Sequence, residues 1–195
     1  METMPWSVLD DRSFAVPQCS AGAGGVAWLR GSVARFSEDG DHARRRGLVE
    51  QILSGLVIAP QPGGDPTAAL LAALGLPEEL VADVESAAAA YHPHLPVTPE
   101  ADQAVERLVA ACGGGHDEST AARLCILVQA HAATRALIDR LRDGGDGPPV
   151  PLTRRIGPRG ETVEVDLSGA PFGSGPHACP GRDLAYRLAE AAMRR

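Results

Sequence analysis

The sequence predicts a mainly α-helical single domain carrying one small β hairpin, and three observations point there. Apolar residues recur at three- and four-residue spacing over one long segment, 119–142, and several shorter ones, the pattern of helices with a buried face. Period-two alternation is confined to Val163, Val165 and Leu167, just after a Gly-Pro-Arg-Gly turn. The 22 glycines and 16 prolines interrupt the 195 residues so often that most helices must be short. Hydrophobic residues at 44% and charged ones at 22% suit an ordinary globular core and surface, so residues 1–195 are read as one domain.

The opening, through about Glu38, reads as loop, broken by Pro17, Gly22, Gly24 and Gly25. From Asp39 or Asp41 a helix runs to just before Pro60, carrying Leu48, Val49, Ile52, Leu53 and Leu56 at helical spacing. His42, Arg46, Val49 and Leu53 share one stripe of it, so a basic pair points with the apolar side. Short helices are predicted at 66–74, 77–91 and 98–112; Asp65 before Pro66 and Thr98 before Pro99 have the form of N-caps followed by a first-turn proline. The longest helix covers 119–142 and stops at Gly144 and Gly145. Residues 148–156 and 161–167 form the hairpin around Gly157 to Gly160, and a glycine-rich loop then leads into a last helix from Pro180.

Composition excludes several functions. No residue is Lys, which rules out a G-x-x-x-x-G-K phosphate loop and a Schiff-base lysine. A net charge of −7 opposes nucleic acid as the main partner. Residues 1–10 lack a basic start followed by an apolar run, and no stretch is long enough to cross a bilayer, so a cytosolic protein is expected. Cys19, Cys112, Cys125 and Cys179 are scattered without a C-x-x-C pair, which suggests neither a disulfide framework nor a four-ligand zinc site. His92, His94 and His116 fall in loops, and His131 is expected to be packed or exposed rather than a ligand.

The most informative segment is 172–182, Phe-Gly-Ser-Gly-Pro-His-Ala-Cys-Pro-Gly-Arg. Gly173 and Gly175 let the backbone fold tightly and approach a flat ligand closely. Cys179 lies just ahead of the expected helix start, where free N–H groups favour an anion, so a stabilised thiolate is expected. Such a sulfur suits an axial iron ligand; the plainer alternative is a small buried cysteine in a glycine loop.

This run resembles the F-x-x-G-x-H-x-C-x-G haem signature of the cytochrome P450 family, with Phe172, Gly175, His177, Cys179 and Gly181 at the fixed positions. The stretch from Val8 to Asp11, then Trp28 to Arg30, Ala34 to Phe36 and Asp41 to Arg46, is similar to the region leading into that family's C helix. The resemblance implies a shortened form of the family's helical fold and haem b ligated by Cys179. His42 and Arg46, as H-x-x-x-R, together with Arg154 and His177, would reach the propionates, while Phe172, Gly173 and Gly181 shape the sulfur side.

Residues 60–115 have no counterpart in the resemblance, E-x-x-R is absent, and the segment before the Cys loop is abbreviated. The long helix resembles the family's I helix, yet Ala132 and Ala133 stand where an acid and an alcohol are usual; Gln129, on the face of Cys125, and Thr134 are the polar groups left for catalysis. The expectation is a haem-thiolate oxidoreductase, monooxygenase or peroxygenase, acting on a small organic, secondary-metabolite type substrate. Either peroxide as the oxidant or electrons from a ferredoxin-type donor would drive the reaction, with peroxide favoured because Ala replaces the acid-alcohol pair. A degenerate haem-binding or scaffold protein that supports a partner enzyme, or pairs with a second copy, is the alternative, and non-oxidative haem chemistry a third.

Overall fold

Helix α6 (Glu118–Arg142) is the element on which most others pack, because its first half is apolar nearly all round: Ala121, Leu124, Cys125, Leu127 and Val128 are all buried. The computed structural model describes residues 1–145 and 147–194. Around α6 lie α1 (Gly25–Gly31), α2 (Asp39–Gly55), α3 (Pro66–Ala73), α4 (Val81–Ala89), α5 (Pro99–Ala111) and α7 (Arg182–Met193). Their inner faces meet in one core that includes Leu29, Leu70, Leu71, Val84, Val105 and Leu108.

Local side-chain caps set the starts of α3, α5 and α6. Asp65 accepts from the amides of Thr67 and Ala68 at 2.7 and 3.0 Å, Thr98 from Ala101 at 3.1 Å, and Asp117 from Thr120 at 2.8 Å. Each such cap contributes about 1 kcal/mol. The chain through Glu38 is less loop-like than the sequence suggests, since α1 lies within it. Its first amides are capped from α5, Gly25 N–H by Glu106 at 2.7 Å and Val26 N–H by Asp102 at 2.9 Å. From α1, Arg30 donates to the carbonyls of Ala90, Tyr91, His92 and Leu95 at 2.5 to 3.1 Å, closing the end of α4.

The expected hairpin gains a strand. Strands β2 (Leu152–Ile156) and β3 (Thr162–Asp166) are antiparallel with Arg155 opposite Val163, and β1 (Thr3–Met4) adds to β3 in parallel. With two residues, β1 is too short to show alternation. Strand β2 starts only at Leu152 because Pro148, Pro149 and Pro151 have no N–H for a ladder. A small apolar cluster of Val8, Leu9, Val163, Val165 and Leu167 fixes this sheet.

Candidate functional site

After β3 the chain makes a series of tight turns that end at Cys179. Gly173 N–H donates to Ala170 at 2.8 Å, Ala178 N–H to Gly175 at 3.1 Å, and Cys179 N–H closes the loop onto the Phe172 carbonyl at 2.8 Å. Gly173 and Gly175 take φ of 75° and 66°, the left-handed region that a side chain would strain. At Gly175 a Cβ would also stand 2.7 Å from Asp10 Oδ1 and 2.9 Å from the Leu9 carbonyl. The loop is thereby pressed onto the 3-10 turn Trp6–Asp10, and Ser174 Oγ donates to Asp10 Oδ2 at 2.8 Å. Phe172 anchors its other side against Leu137, Ile138 and Ala189, with Tyr186 at 5.4 Å.

Cys179 shows an exposed edge within a ring of protein groups. Crowding pushes its thiol up from the ordinary value, outweighing the Gly181 N–H and the Arg46 and Arg35 charges that favour the anion. The expected thiolate is therefore corrected to a thiol. Helix α7 begins at Arg182, not Pro180, with its first intrahelical bond from Ala185 N–H to the Gly181 carbonyl at 2.9 Å, and the N–H of its N-cap Gly181 favours the anion without overcoming the crowding.

Beside the sulfur, charged groups converge from three elements. The His42 and His177 rings meet at a tilt of 44° with centroids 4.0 Å apart, and His177 Nε2 is 3.3 Å from Glu38 Oε2. Glu38 uses its other oxygen on Val16 N–H at 2.6 Å. Burial lowers both histidines; His177 falls to about 4, with His42 adding to the effect and Glu38 opposing it. Arg46, on the stripe of His42, donates to the Ala178 carbonyl at 2.6 Å and to Glu50 at 2.7 Å.

Arg155 and Arg35 complete the cluster, and neither was singled out from the sequence. Arg155 is 7% exposed, among the described residues its side chain has one hydrogen bond, to the Arg154 carbonyl at 2.9 Å, and burial with Arg35 nearby pulls it down to about 10. Arg35 has a buried Nε with no partner. Arg154, the expected propionate ligand, lies on the other face of β2 from Arg155, because adjacent strand residues point to opposite sides, and its Nη2 approaches Glu164 at 3.7 Å. Strand phase was the signal that could have found Arg155.

On α6, Cys125 is buried, Tyr91 OH is 3.6 Å from its sulfur, and Gln129 Nε2 reaches the same sulfur at 2.7 Å. The Arg35 charge acts on Cys179, Cys125 and Tyr91 alike, and Cys125 and Gln129, four residues apart, share one face of α6. Thr134, the other expected catalytic group, does not join it. Nine residues from Cys125 is half a turn of the helical wheel, and Thr134 Oγ1 is buried without a partner on the side of His131. His131 itself is packed, with Nδ1 3.0 Å from Thr67 Oγ1.

Among the described residues there is no group of three His, Cys, Asp or Glu side chains able to hold a metal ion, and no helix long and apolar enough to cross a membrane. What the arrangement offers is a soft sulfur donor beside three guanidinium groups, Arg35, Arg46 and Arg155, with Glu38 and, paired with Arg46, Glu50 as carboxylates among them. A planar dianion with a metal at its centre matches that chemistry.

No family model matches the chain, and no curated protein matches it. Solved structures do. P450BioI, in complex with hexadec-9Z-enoic acid ligated acyl carrier protein, aligns with a TM-score of 0.69 at 16% identity, covering 96% of this chain and 80% of that one. The ligand-free CYP164A2 of Mycobacterium smegmatis aligns with a TM-score of 0.53 at 20% identity, covering 96% and 79%. At such identities the likeness is one of fold.

Proposed function

We propose that this chain, whose fold is that of the cytochrome P450s, binds haem b through Cys179 and works as a haem-thiolate oxidoreductase on a small organic molecule. The observation that carries the reading is the under-partnered positive charge beside the sulfur, above all the orphaned Arg35 Nε and the single carbonyl bond of buried Arg155. Buried cations are retained where an anion meets them; Glu50 pairs with Arg46, and two propionates would supply Arg35 and Arg155 with what Glu38 alone does not. The residues present therefore fit the group.

In this reading Arg46, Arg155, Arg35 and the neutral His42 and His177 hold the carboxylates. Arg46 turns from the Ala178 carbonyl to do so. Phe172, Gly173 and Gly181 would keep the loop compact against the bound group, and Cys179, deprotonated, would be its sulfur donor. The bound cofactor supplies the oxidising chemistry. The protein's part is to exclude water around the sulfur and to present Gln129 as the polar side chain of α6 that orients water or peroxide. With Ala132 and Ala133 unable to relay protons, peroxide serves better than a ferredoxin-type donor. A substrate borne by a carrier protein, as P450BioI was captured with one, belongs among those to assay.

Reconstitution with haem, followed by reduction under carbon monoxide, tests the reading. A strongly red-shifted Soret band that disappears in Cys179→Ser is the expected result, and peroxide-driven turnover of a substrate panel the next. A protein that takes up no haem overturns the proposal. A second reading, a scaffold that supports a partner enzyme or a second copy, draws on Arg46 being already satisfied by Ala178 and on Cys179 being a thiol. Complex formation that survives Cys179→Ala with partner activity unchanged would favour it.

A further inference from the structure

Helices α2 and α3 both pack on α6 and hardly on each other, and they leave between them an open cleft of about 400 Å³. That volume falls among small-molecule sites, which run from about 300 to 1,000 Å³. One side of the cleft is apolar: Leu48 and Ile52, four residues apart on α2, and Leu56 at its end are each half-buried, and Leu74 closes the wall just past α3. The other side is polar, formed by Gln51, Ser119 and Arg123. Arg123, on α6, is half-buried and forms no ion pair among the described residues, since the acids flanking the cleft are committed elsewhere. Glu118 serves Arg44 and Arg45 at 2.7 and 2.8 Å, Glu50 serves Arg46 at 2.7 Å, and Asp117 caps Thr120 N–H at 2.8 Å. The Cys112 thiol beside Arg123 is kept protonated by burial and brings no charge.

We propose that this cleft binds a small carboxylic acid with an apolar chain, its carboxylate paired with the Arg123 guanidinium and its chain laid against Leu48, Ile52 and Leu56. The chemistry of the two sides sets the class. A guanidinium offers a carboxylate two parallel N–H donors, and the leucine and isoleucine wall rewards a chain that leaves water. A single negative charge suits the cleft better than a phosphate dianion. One unpaired cation awaits it, while Glu50 and Glu118 adjoin the lining residues Gln51 and Ser119 and would repel a second charge. An ester of the same acid has the chain without the anion and is disfavoured. None of the lining residues belongs to the Cys179 cluster, so this inference stands apart from the haem reading.

The test titrates the full chain with octanoate and with methyl octanoate while the methyl resonances of Leu48, Ile52 and Leu56 are followed. Saturable shifts at these methyls are expected with the acid, and weaker binding with the ester. The ratio of the two affinities should fall about three- to tenfold in Arg123→Gln, the worth of one charged hydrogen-bonded pair in a half-buried setting. Arg123→Lys, which keeps the charge and loses the fork, should recover part of the ratio. Methyls that do not move, or move without saturating, overturn the site. An unaltered chain that binds ester and acid equally overturns Arg123 as the anchor, a result that does not depend on any variant folding. A ratio unchanged in a folded Arg123→Gln does the same. Octyl phosphate binding more tightly than octanoate overturns the choice of a carboxylate.

Discussion

The helical core and the Cys179 loop treat buried polar atoms in opposite ways. Around α3, α5 and α6 the first-turn amides find Asp65, Thr98 and Asp117, and Arg30 alone serves four carbonyls at the end of α4. Beside Cys179, by contrast, Arg35 has an orphaned Nε and Arg155 one backbone partner. Among the described residues the one comparable orphan in the core is Thr134 Oγ1, a neutral hydroxyl whose isolation costs far less than that of a charge. The contrast separates two roles: the core stabilises the chain, and the loop holds charge in a state that a ligand would relieve.

Breaking the core should have the largest effect. Leu127→Ala removes a fully buried side chain between packed helices and should destabilise the protein by about 2–5 kcal/mol, read as a fall in the urea midpoint. A midpoint left in place would mean that α6 is not the organising element.

Acid attacks the loop instead. His177 titrates near 4 in the folded chain against an ordinary 6.5, so the unfolded state takes up its proton first as pH falls. Stability should therefore hold above about pH 6.5 and drop towards pH 4, by up to about 3 kcal/mol for this residue. His177→Gln should flatten that slope, and an undiminished slope would show that other groups govern acid unfolding.

The smallest and most diagnostic change is Arg155→Met. Removing a buried charge with a single carbonyl partner should raise the stability of the haem-free protein by about 1–3 kcal/mol, while weakening haem retention in a competition with apomyoglobin. Loss of both quantities together would show that Arg155 is structural.

Elements whose causes are local were legible in the sequence. Helices α3 and α5 announce themselves by Asp65-Pro66 and Thr98-Pro99, and the tight course of the Cys loop by Gly173 and Gly175. Elements whose causes are distant were not. Helix α1 is capped by Asp102 and Glu106, 76 and 81 residues away, so nothing near Gly25 signals a start. In the site, the stripe of His42 and Arg46 on α2 could be read from helical spacing. Arg155 required the phase of a strand, Tyr91 a partner 34 residues on, and Arg35 the convergence of elements that only the folded chain brings together.

The clasp between Asp10 and Ser174 joins residues 164 apart, whereas the contacts of α4 with α5 and of α5 with α6 are made between neighbours in the chain. Closing so large a loop costs entropy that local pairing avoids. During refolding the helices should therefore gain protection from hydrogen exchange first, and the turn before Cys179 last. A porphyrin would then meet an already folded scaffold whose doorway is still ajar, and the order of assembly itself would give it time to enter.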